Sequence, residues 1–230
     1  MIIKKAFVKT LPVMAAYIIL GMGFGILMDD KGYAPVLSVG SSILIYAGSM
    51  QYVAVSLLTD GVSLWYAALM TLMVNARHLF YGIAMIIKYK DMGLFKPYLI
   101  FGLTDETFSL LCEDKEYPKD KKNIRRYCFF VTLFDHLYWI AGTAIGALVG
   151  SLIDFDSKGI DFSMTALFVT VFVEQWLTSK EHRFALTGLG SAALCLLIFD
   201  SSIFLIPAMI LISLMSTVFY LSGNNTERNT

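Results

Sequence analysis

The sequence contains little of what disulfide-linked, metal-binding or nucleic-acid-binding proteins require. Its 3 cysteines, Cys112, Cys128 and Cys195, show no Cys-x-x-Cys spacing, so neither a disulfide framework nor a metal site is indicated. Its 18 basic and 18 acidic residues cancel, and none of its basic clusters is large enough to bind nucleic acid. We therefore expect no metal, no cofactor and no nucleic-acid partner.

Long polar stretches are also scarce, which excludes an ordinary soluble domain. Apolar residues make up 57% of the chain, the mean hydropathy is +0.67, and the apolar residues occur in successive long blocks. This pattern predicts an all-α, polytopic helical protein with seven to eight transmembrane segments in a lipid bilayer. We expect a single transmembrane transporter domain over residues 1–222 and a polar, disordered tail over residues 223–230.

Two lysine-rich loops leave the number of segments open. Lys88–Lys96 and Glu113–Arg126 both carry an excess of basic residues, which marks the cytoplasmic side of a membrane. If both loops lie on that side, the short apolar segment Pro97–Cys112 between them enters the bilayer and returns. If this segment crosses instead, the count is eight and one loop departs from the rule.

Arg77 lies inside an apolar segment, Leu64–Ile87, that is long enough to cross a bilayer. A guanidinium at that depth costs about 2.5 to 3.5 kcal/mol to insert, so it requires a partner or a wet cavity. Asn75 and His78 are three positions apart and share one helix face, where we predict that they bind substrate. The alternative is that Arg77 reaches the lipid headgroups or pairs for assembly only.

Two adjacent acids, Asp105 and Glu106, lie at the centre of Pro97–Cys112 among apolar residues. We predict that one of them pairs with Arg77, because these are the nearest strongly buried acids in the sequence. The other acid is then a candidate to carry a coupling proton. The alternative is that the acids line wet vestibules and only keep the path hydrated.

Asp135 and His136 lie about two turns into the apolar segment Tyr127–Ile153. They are predicted either to relay protons or to lie at the headgroup level as ordinary interfacial residues.

The apolar block Val36–Leu58 is interrupted over Tyr46–Gln51, a stretch that includes Gly48, Ser49 and Gln51. Gly48 lowers helix propensity, and the other two side chains offer hydrogen bonds. This combination predicts a broken helix whose free backbone groups bind substrate, as in many secondary transporters. The alternative is that these small and polar residues only join neighbouring helices.

Three glycines of the Tyr127–Ile153 segment, Gly142, Gly146 and Gly150, recur at every fourth position. They predict a small-residue face along which another helix approaches closely. An Asp-x-Lys-Gly-like loop occurs in both halves, at Asp29–Gly32 and Asp156–Gly159, which suggests an internal repeat with discontinuous helices.

Three motifs, Tyr46–Gln51, Asn75–Gly82 and Thr104–Phe108, give the chain its resemblance to a known family. In this order and spacing the chain resembles the AzlC-type branched-chain amino acid permeases, the large subunits of branched-chain amino acid exporters. The resemblance implies export of valine, leucine, isoleucine or methionine through a multi-pass protein of the inner, cytoplasmic membrane. It also implies a separate, small AzlD-type membrane subunit as partner.

Two rival functions follow from the residues alone. An intramembrane hydrolase would use Ser49 as nucleophile and His78 as base, but Gly-x-Ser-x-Gly is absent from the sequence. A membrane assembly subunit that transports nothing is the stronger rival. We expect a transporter and no enzymatic activity.

Overall fold

The computed structural model describes residues 2–112, 120–152 and 182–199, with separate positions between 162 and 177 and between 204 and 219. Every element bounded within these residues is helical, as predicted. The α-helices are α1 (Ile2–Asp30), α2 (Pro35–Leu44), α3 (Gly48–Thr59), α4 (Leu64–Val74), α5 (Arg77–Tyr89), α6 (Lys96–Phe101), α7 (Asp105–Cys112), α8 (Lys121–Leu152) and α9 (Arg183–Ile198). A 3₁₀ turn, Gly93–Phe95, precedes α6.

Two helices in the described residues, α1 and α8, are long and apolar enough to cross a membrane. The pair α4 and α5 forms a third candidate span, bent by 47° at its break. The predicted count of seven to eight segments stays a prediction. The polar tail 223–230 and the second loop of the suggested repeat, Asp156–Gly159, lie outside the described residues.

The chain forms two compact units, Met1–Thr165 and Ala166–Thr230. All of the predicted site residues belong to the first unit, in which α1 packs along α8. The second unit contains α9, whose buried side chains include Ser191 and Cys195.

Glycines bring the backbones of α1 and α8 into contact. A Cβ atom added at Gly142 would lie 2.6 Å from the Ile18 carbonyl oxygen, and one at Gly21 would lie 2.9 Å from the Thr143 nitrogen. Gly146 meets the backbone of Met22 in the same way, and Gly150 lies against Asp29. The predicted close-approach face is therefore confirmed, and its partner is α1.

Three interruptions divide the apolar segments of the first unit that carry the predicted polar residues into shorter helices. They lie at residues 45–47 between α2 and α3, at 75–76 between α4 and α5, and at 102–104 between α6 and α7. At the first, Tyr46 adopts a φ of +45°, a left-handed conformation that an α-helix cannot contain. Because α3, α5 and α7 begin after these breaks, each exposes backbone N–H groups without intrahelical partners.

The predicted break near Gly48 is confirmed. It covers residues 45–47, at the N-terminal end of the predicted interruption, and Gly48, Ser49 and Gln51 form the first turn of α3. The continuous helix assumed for Leu64–Ile87 is wrong, because α4 ends at Val74 and α5 begins at Arg77. The shared face that a single helix would give Asn75 and His78 is therefore lost.

Local hydrogen bonds stabilise two of the new helix starts. At α7, the Thr107 amide donates to Thr104 Oγ1 at 3.3 Å, and Asp105 and Glu106 occupy the first turn, where carboxylates favour the helix dipole. At α3, the Ala47 amide donates to Gln51 Oε1 at 3.2 Å.

Candidate functional site

Arg77 connects the first turns of three helices. Its Nη2 donates to Ser49 Oγ of α3 at 2.7 Å, and its Nη1 lies 2.5 Å from Asp105 Oδ2 of α7. Arg77 itself begins α5, so its guanidinium joins the starts of α3, α5 and α7. The predicted ion pair is confirmed, with Asp105 as its partner. The Arg77 and Asp105 side chains are 34% and 27% exposed, which leaves this junction accessible.

Glu106 contacts α1 through Tyr17. The Tyr17 hydroxyl oxygen lies 2.5 Å from Glu106 Oε2 and 2.7 Å from Thr104 Oγ1. The two adjacent acids therefore have different partners, a cation for Asp105 and a phenol for Glu106.

Asp135 is fully buried on α8. The Thr107 hydroxyl oxygen lies 2.8 Å from its Oδ2, while its Oδ1 has no hydrogen-bond partner among the described residues. The carboxyl group is therefore enclosed between helices, and its role as a proton relay stays a prediction.

His136 follows Asp135 but has separate partners. Its Nε2 lies 3.2 Å from the Ser42 carbonyl oxygen, and its Nδ1 lies 3.0 Å from the Tyr98 hydroxyl. Since a carbonyl only accepts, Nε2 carries a hydrogen, and Nδ1 accepts from Tyr98 in the neutral ring. The ring centroid lies 4.3 Å from that of Tyr46. His136 therefore joins α6 and α8 to the end of α2.

Gln51 is buried, and its amide is engaged on every side by protein groups. Its Nε2 donates to Ser41 Oγ and Ser42 Oγ at 3.2 and 3.1 Å, and its Oε1 accepts from Trp139 Nε1 at 3.0 Å and from the Ala47 amide. Gln51 thus fixes α3 against α2 and α8.

Gly48 lies against the indole ring of Trp139. A Cβ added at Gly48 would meet the ring at 3.0 Å, so a larger residue would push α3 away from α8. The free amides at this helix start give it a partial positive charge next to the Arg77 guanidinium. An anionic group is the ligand that this arrangement favours.

Asn75 and His78 lie at the second break and are half-buried. His78 Nδ1 is 3.2 Å from the Asn75 carbonyl oxygen, and the His78 amide donates to the same oxygen at 2.9 Å. Asn75 therefore lies at the break that precedes Arg77, and His78 lies at the start of α5. They do not share the continuous helix face that was predicted.

Several residues of this region carry no charge and were not predicted. Tyr17, Thr107 and Trp139 form hydrogen bonds with predicted residues, and Thr104 contacts both Tyr17 and Thr107. The two threonines flank the acids in Thr-Asp-Glu-Thr, a helix-capping pattern that marks a helix start. Tyr17 had no comparable signal. No group of three or more His, Cys, Asp or Glu in the described ranges could hold a metal ion.

Comparison with known proteins covers nearly the whole chain. The model of the AzlC protein family matches residues 12–153, which include every predicted site residue. The branched-chain amino acid transport protein AzlC of Bacillus subtilis is 44% identical over 218 residues, 94% of this chain and 84% of the relative.

The chain belongs to the AzlC family. An uncharacterized membrane protein of Helicobacter pylori is 38% identical over 94% of both chains. The inner membrane protein YgaZ of Escherichia coli, a more distant relative, is 29% identical over 88% of this chain and 82% of its own length. No solved structure matches this AzlC-family chain. Relatives named as membrane proteins and the apolar helices α1 and α8 together identify it as a membrane protein.

Proposed function

We propose that this AzlC-family chain is a multi-pass transporter of the cytoplasmic membrane. It exports branched-chain and other hydrophobic amino acids, valine, leucine, isoleucine and methionine, in exchange for protons and together with a small AzlD-type subunit. The observation that carries the proposal is the junction of Arg77 with Ser49 and Asp105, where three interrupted helices begin. The name of the Bacillus subtilis relative, a branched-chain amino acid transport protein, supports the substrate class.

The junction offers a group of each charge to a zwitterion. The substrate carboxylate binds the free amides of Gly48 and Ser49 and the Arg77 guanidinium, whose Nε has no partner in the described residues. The substrate ammonium binds Asp105, whose Oδ1 has no hydrogen-bond partner in that same region.

The second break supplies the remaining polar contacts. Asn75 and His78 add hydrogen bonds, and the stacked rings of Tyr81 and Phe108, 4.5 Å apart, provide an apolar wall for the substrate side chain. Gln51 contributes by holding the start of α3 in position, because its own amide is engaged.

Proton coupling is proposed because two acids are left without a cation once Asp105 pairs with Arg77. Glu106 and Asp135 each contact a hydroxyl group at hydrogen-bond distance and lie within or beside candidate membrane spans. Proton entry from outside protonates one of them and favours one orientation of the carrier, which then releases the amino acid outward.

The proposal is tested by efflux of radiolabelled leucine from preloaded membrane vesicles. Wild type, Arg77→Gln and Lys121→Gln are compared, with and without the small subunit. Lys121 is a matched control, because its ion pair with Asp91 is exposed and lies outside the junction. We expect efflux in wild type and Lys121→Gln and its loss in Arg77→Gln; no efflux in wild type with the subunit present contradicts the proposal and favours an assembly subunit.

The geometry gives the hydrolase alternative no support. Ser49 Oγ accepts from Arg77, and His78 Nδ1 lies against the Asn75 carbonyl. No hydrogen bond joins Ser49 to His78 in the described part of the chain, so the serine lacks the base that a nucleophile requires.

A further inference from the structure

We infer that Glu106 and Asp135 share a single proton through a chain of three hydroxyl groups, those of Tyr17, Thr104 and Thr107. The inference deepens the proposed proton coupling and rests on it for its role in transport. It assigns functions to three residues without charge, and it specifies how many protons the two acids hold.

Four oxygen-to-oxygen contacts connect the two carboxyl groups without a gap. The Tyr17 hydroxyl is 2.5 Å from Glu106 Oε2 and 2.7 Å from Thr104 Oγ1. Thr104 Oγ1 is 3.2 Å from Thr107 Oγ1, which is 2.8 Å from Asp135 Oδ2. All four distances lie within or close to the usual range for O–H···O hydrogen bonds. The chain thus runs from α7 to α1, back to α7 and on to α8.

The number of hydrogens limits the protonation of the pair. The chain has four contacts, whereas its three hydroxyl groups supply only three hydrogens. If both acids are ionised, one contact joins two oxygens with no hydrogen between them. One proton is the smallest number that gives every contact one hydrogen. A second proton would occupy a carboxyl oxygen outside the chain, and on Asp135 that oxygen, Oδ1, has no hydrogen-bond partner among the described residues.

Thr104 shows this constraint at the centre of the chain. A threonine hydroxyl donates once and accepts at most twice, and Thr104 Oγ1 already accepts from the Thr107 amide. If Thr104 donates to Thr107, it must accept from Tyr17, and Glu106 must then donate to Tyr17. If Thr104 donates to Tyr17 instead, Thr107 donates to Thr104 and Asp135 carries the proton.

The two arrangements interconvert by a balanced series of transfers. Glu106 gives its hydrogen to the Tyr17 oxygen, Tyr17 gives its own to Thr104, Thr104 to Thr107, and Thr107 to Asp135. Every hydroxyl ends with one hydrogen, and the net result is one proton moved from Glu106 to Asp135.

The chain is enclosed by protein. Thr107 and Asp135 are fully buried, Tyr17 is 4% exposed and Thr104 is 8% exposed. The titratable and charged groups that face its two ends from the packed elements are Arg77, Asp105, Tyr46, Tyr81, Tyr98, His136 and Tyr138. Arg77 and Asp105 are paired with each other, and the two nitrogens of His136 contact Tyr98 and Ser42.

The end at Glu106 lies beside the proposed substrate junction. Glu106 directly follows Asp105, whereas Asp135 lies on α8. A charge that binds at Arg77 and Asp105 therefore acts more strongly on Glu106 than on Asp135 and shifts the shared proton along the chain. This position gives substrate binding a direct effect on the coupling proton.

The test is infrared spectroscopy of the purified protein in lipid at about pH 7, where exposed carboxyl groups are ionised. Wild type, Glu106→Gln and Asp135→Asn are compared in the carbonyl region of protonated carboxyl groups. The side chain that replaces either acid can donate through its N–H or accept through its oxygen, so it completes the chain but ends the sharing of the proton between two carboxyl groups. We expect a protonated-carboxyl band in wild type that is lost or shifted in frequency in both variants.

Independent carboxyl groups give a different result. One acid would then carry the proton by itself, and substitution of the other acid would leave the band unchanged. A band that stays unchanged in either variant, or that is absent from wild type, overturns the inference.

Substitutions inside the chain test its continuity. Thr107→Val removes one hydroxyl and is expected to alter the band, whereas Thr107→Ser keeps the hydroxyl and the wild-type band. Thr10→Val is the matched control, because Thr10 is also fully buried and its hydroxyl, 3.1 Å from that of Tyr138, lies outside the chain. Thermal unfolding identifies any variant that fails to fold. A wild-type band in folded Thr107→Val also overturns the inference.

The infrared result is independent of transport. Loss of leucine efflux from wild type contradicts the proposed function but leaves the band in place. Loss of the band contradicts the shared proton but leaves efflux measurable. The two failures are therefore distinguishable.

Discussion

Arg77 Nη1 lies 2.5 Å from Asp105 Oδ2, and each of these residues begins a helix that follows an interruption. One ion pair therefore holds together segments that the backbone alone does not align. Arg77 begins α5 and Asp105 begins α7, and the same guanidinium donates to Ser49 at the start of α3. The pair therefore stabilises the broken helices and forms the charged part of the proposed substrate site. A residue with both roles makes stability and transport depend on each other.

Removal of either partner of this pair is expected to lower stability and stop transport. Arg77→Gln leaves Asp105 without its cation and should cost roughly 1 to 3 kcal/mol, below the 3 to 5 kcal/mol of fully buried pairs, because both side chains keep partial exposure. Asp105→Asn should cost a similar amount. Unfolding in detergent measures the loss, and the exposed pair of Lys121 and Asp91 provides the control. Equal stability of Arg77→Gln and Lys121→Gln would contradict this prediction.

Gly48→Leu is expected to abolish transport while the protein still inserts into the membrane. A side chain at this position meets the Trp139 ring at 3.0 Å and displaces the first turn of α3, where the substrate carboxylate is proposed to bind. Gly40→Leu in α2 is the control, since a Cβ there has no other atom within 4 Å. Leucine efflux is measured together with the amount of protein in the membrane; normal efflux from Gly48→Leu argues against binding at this helix start.

Gly146→Leu is expected to prevent stable folding rather than to alter the site. Its side chain would enter the backbone of Met22, so α1 and α8 could not approach as they do. Gly188→Leu in α9 has open space and should fold normally. Yield after membrane extraction and thermal unfolding compare the two variants. A Gly146→Leu protein as stable as Gly188→Leu would show that this contact is dispensable.

Sequence reasoning succeeded where one strong physical constraint acts on one residue. An unpaired guanidinium in an apolar segment is costly, so a partner for Arg77 among the nearby acids could be predicted. Regular spacing of Gly142, Gly146 and Gly150 likewise predicted a packing face, because small residues four apart lie on one side of a helix. Neither argument needed the tertiary fold.

The hydroxyl chain and the break at residues 75–76 could not be predicted in this way. The break at Asn75 interrupts an apolar segment without proline or glycine at that point, and local propensity gives it no signal. Tyr17 contacts Glu106 across 89 positions of sequence, so only the packing of α1 against α7 and α8 brings them together. For the same reason, sequence reasoning assigned a substrate role to Gln51, whose amide is in fact occupied by contacts with α2 and α8.

Proton-coupled export is tested most directly by leucine efflux from preloaded vesicles under an imposed pH gradient. Wild type is compared with Asp105→Asn, Glu106→Gln and Asp135→Asn, and Thr10→Val serves as a buried polar control outside the site. The account predicts that the gradient accelerates efflux in wild type and Thr10→Val, and that Glu106→Gln and Asp135→Asn lose this response because neither can release the shared proton. Efflux from wild type that is insensitive to the gradient, or a full response in all three acid variants, would contradict proton coupling.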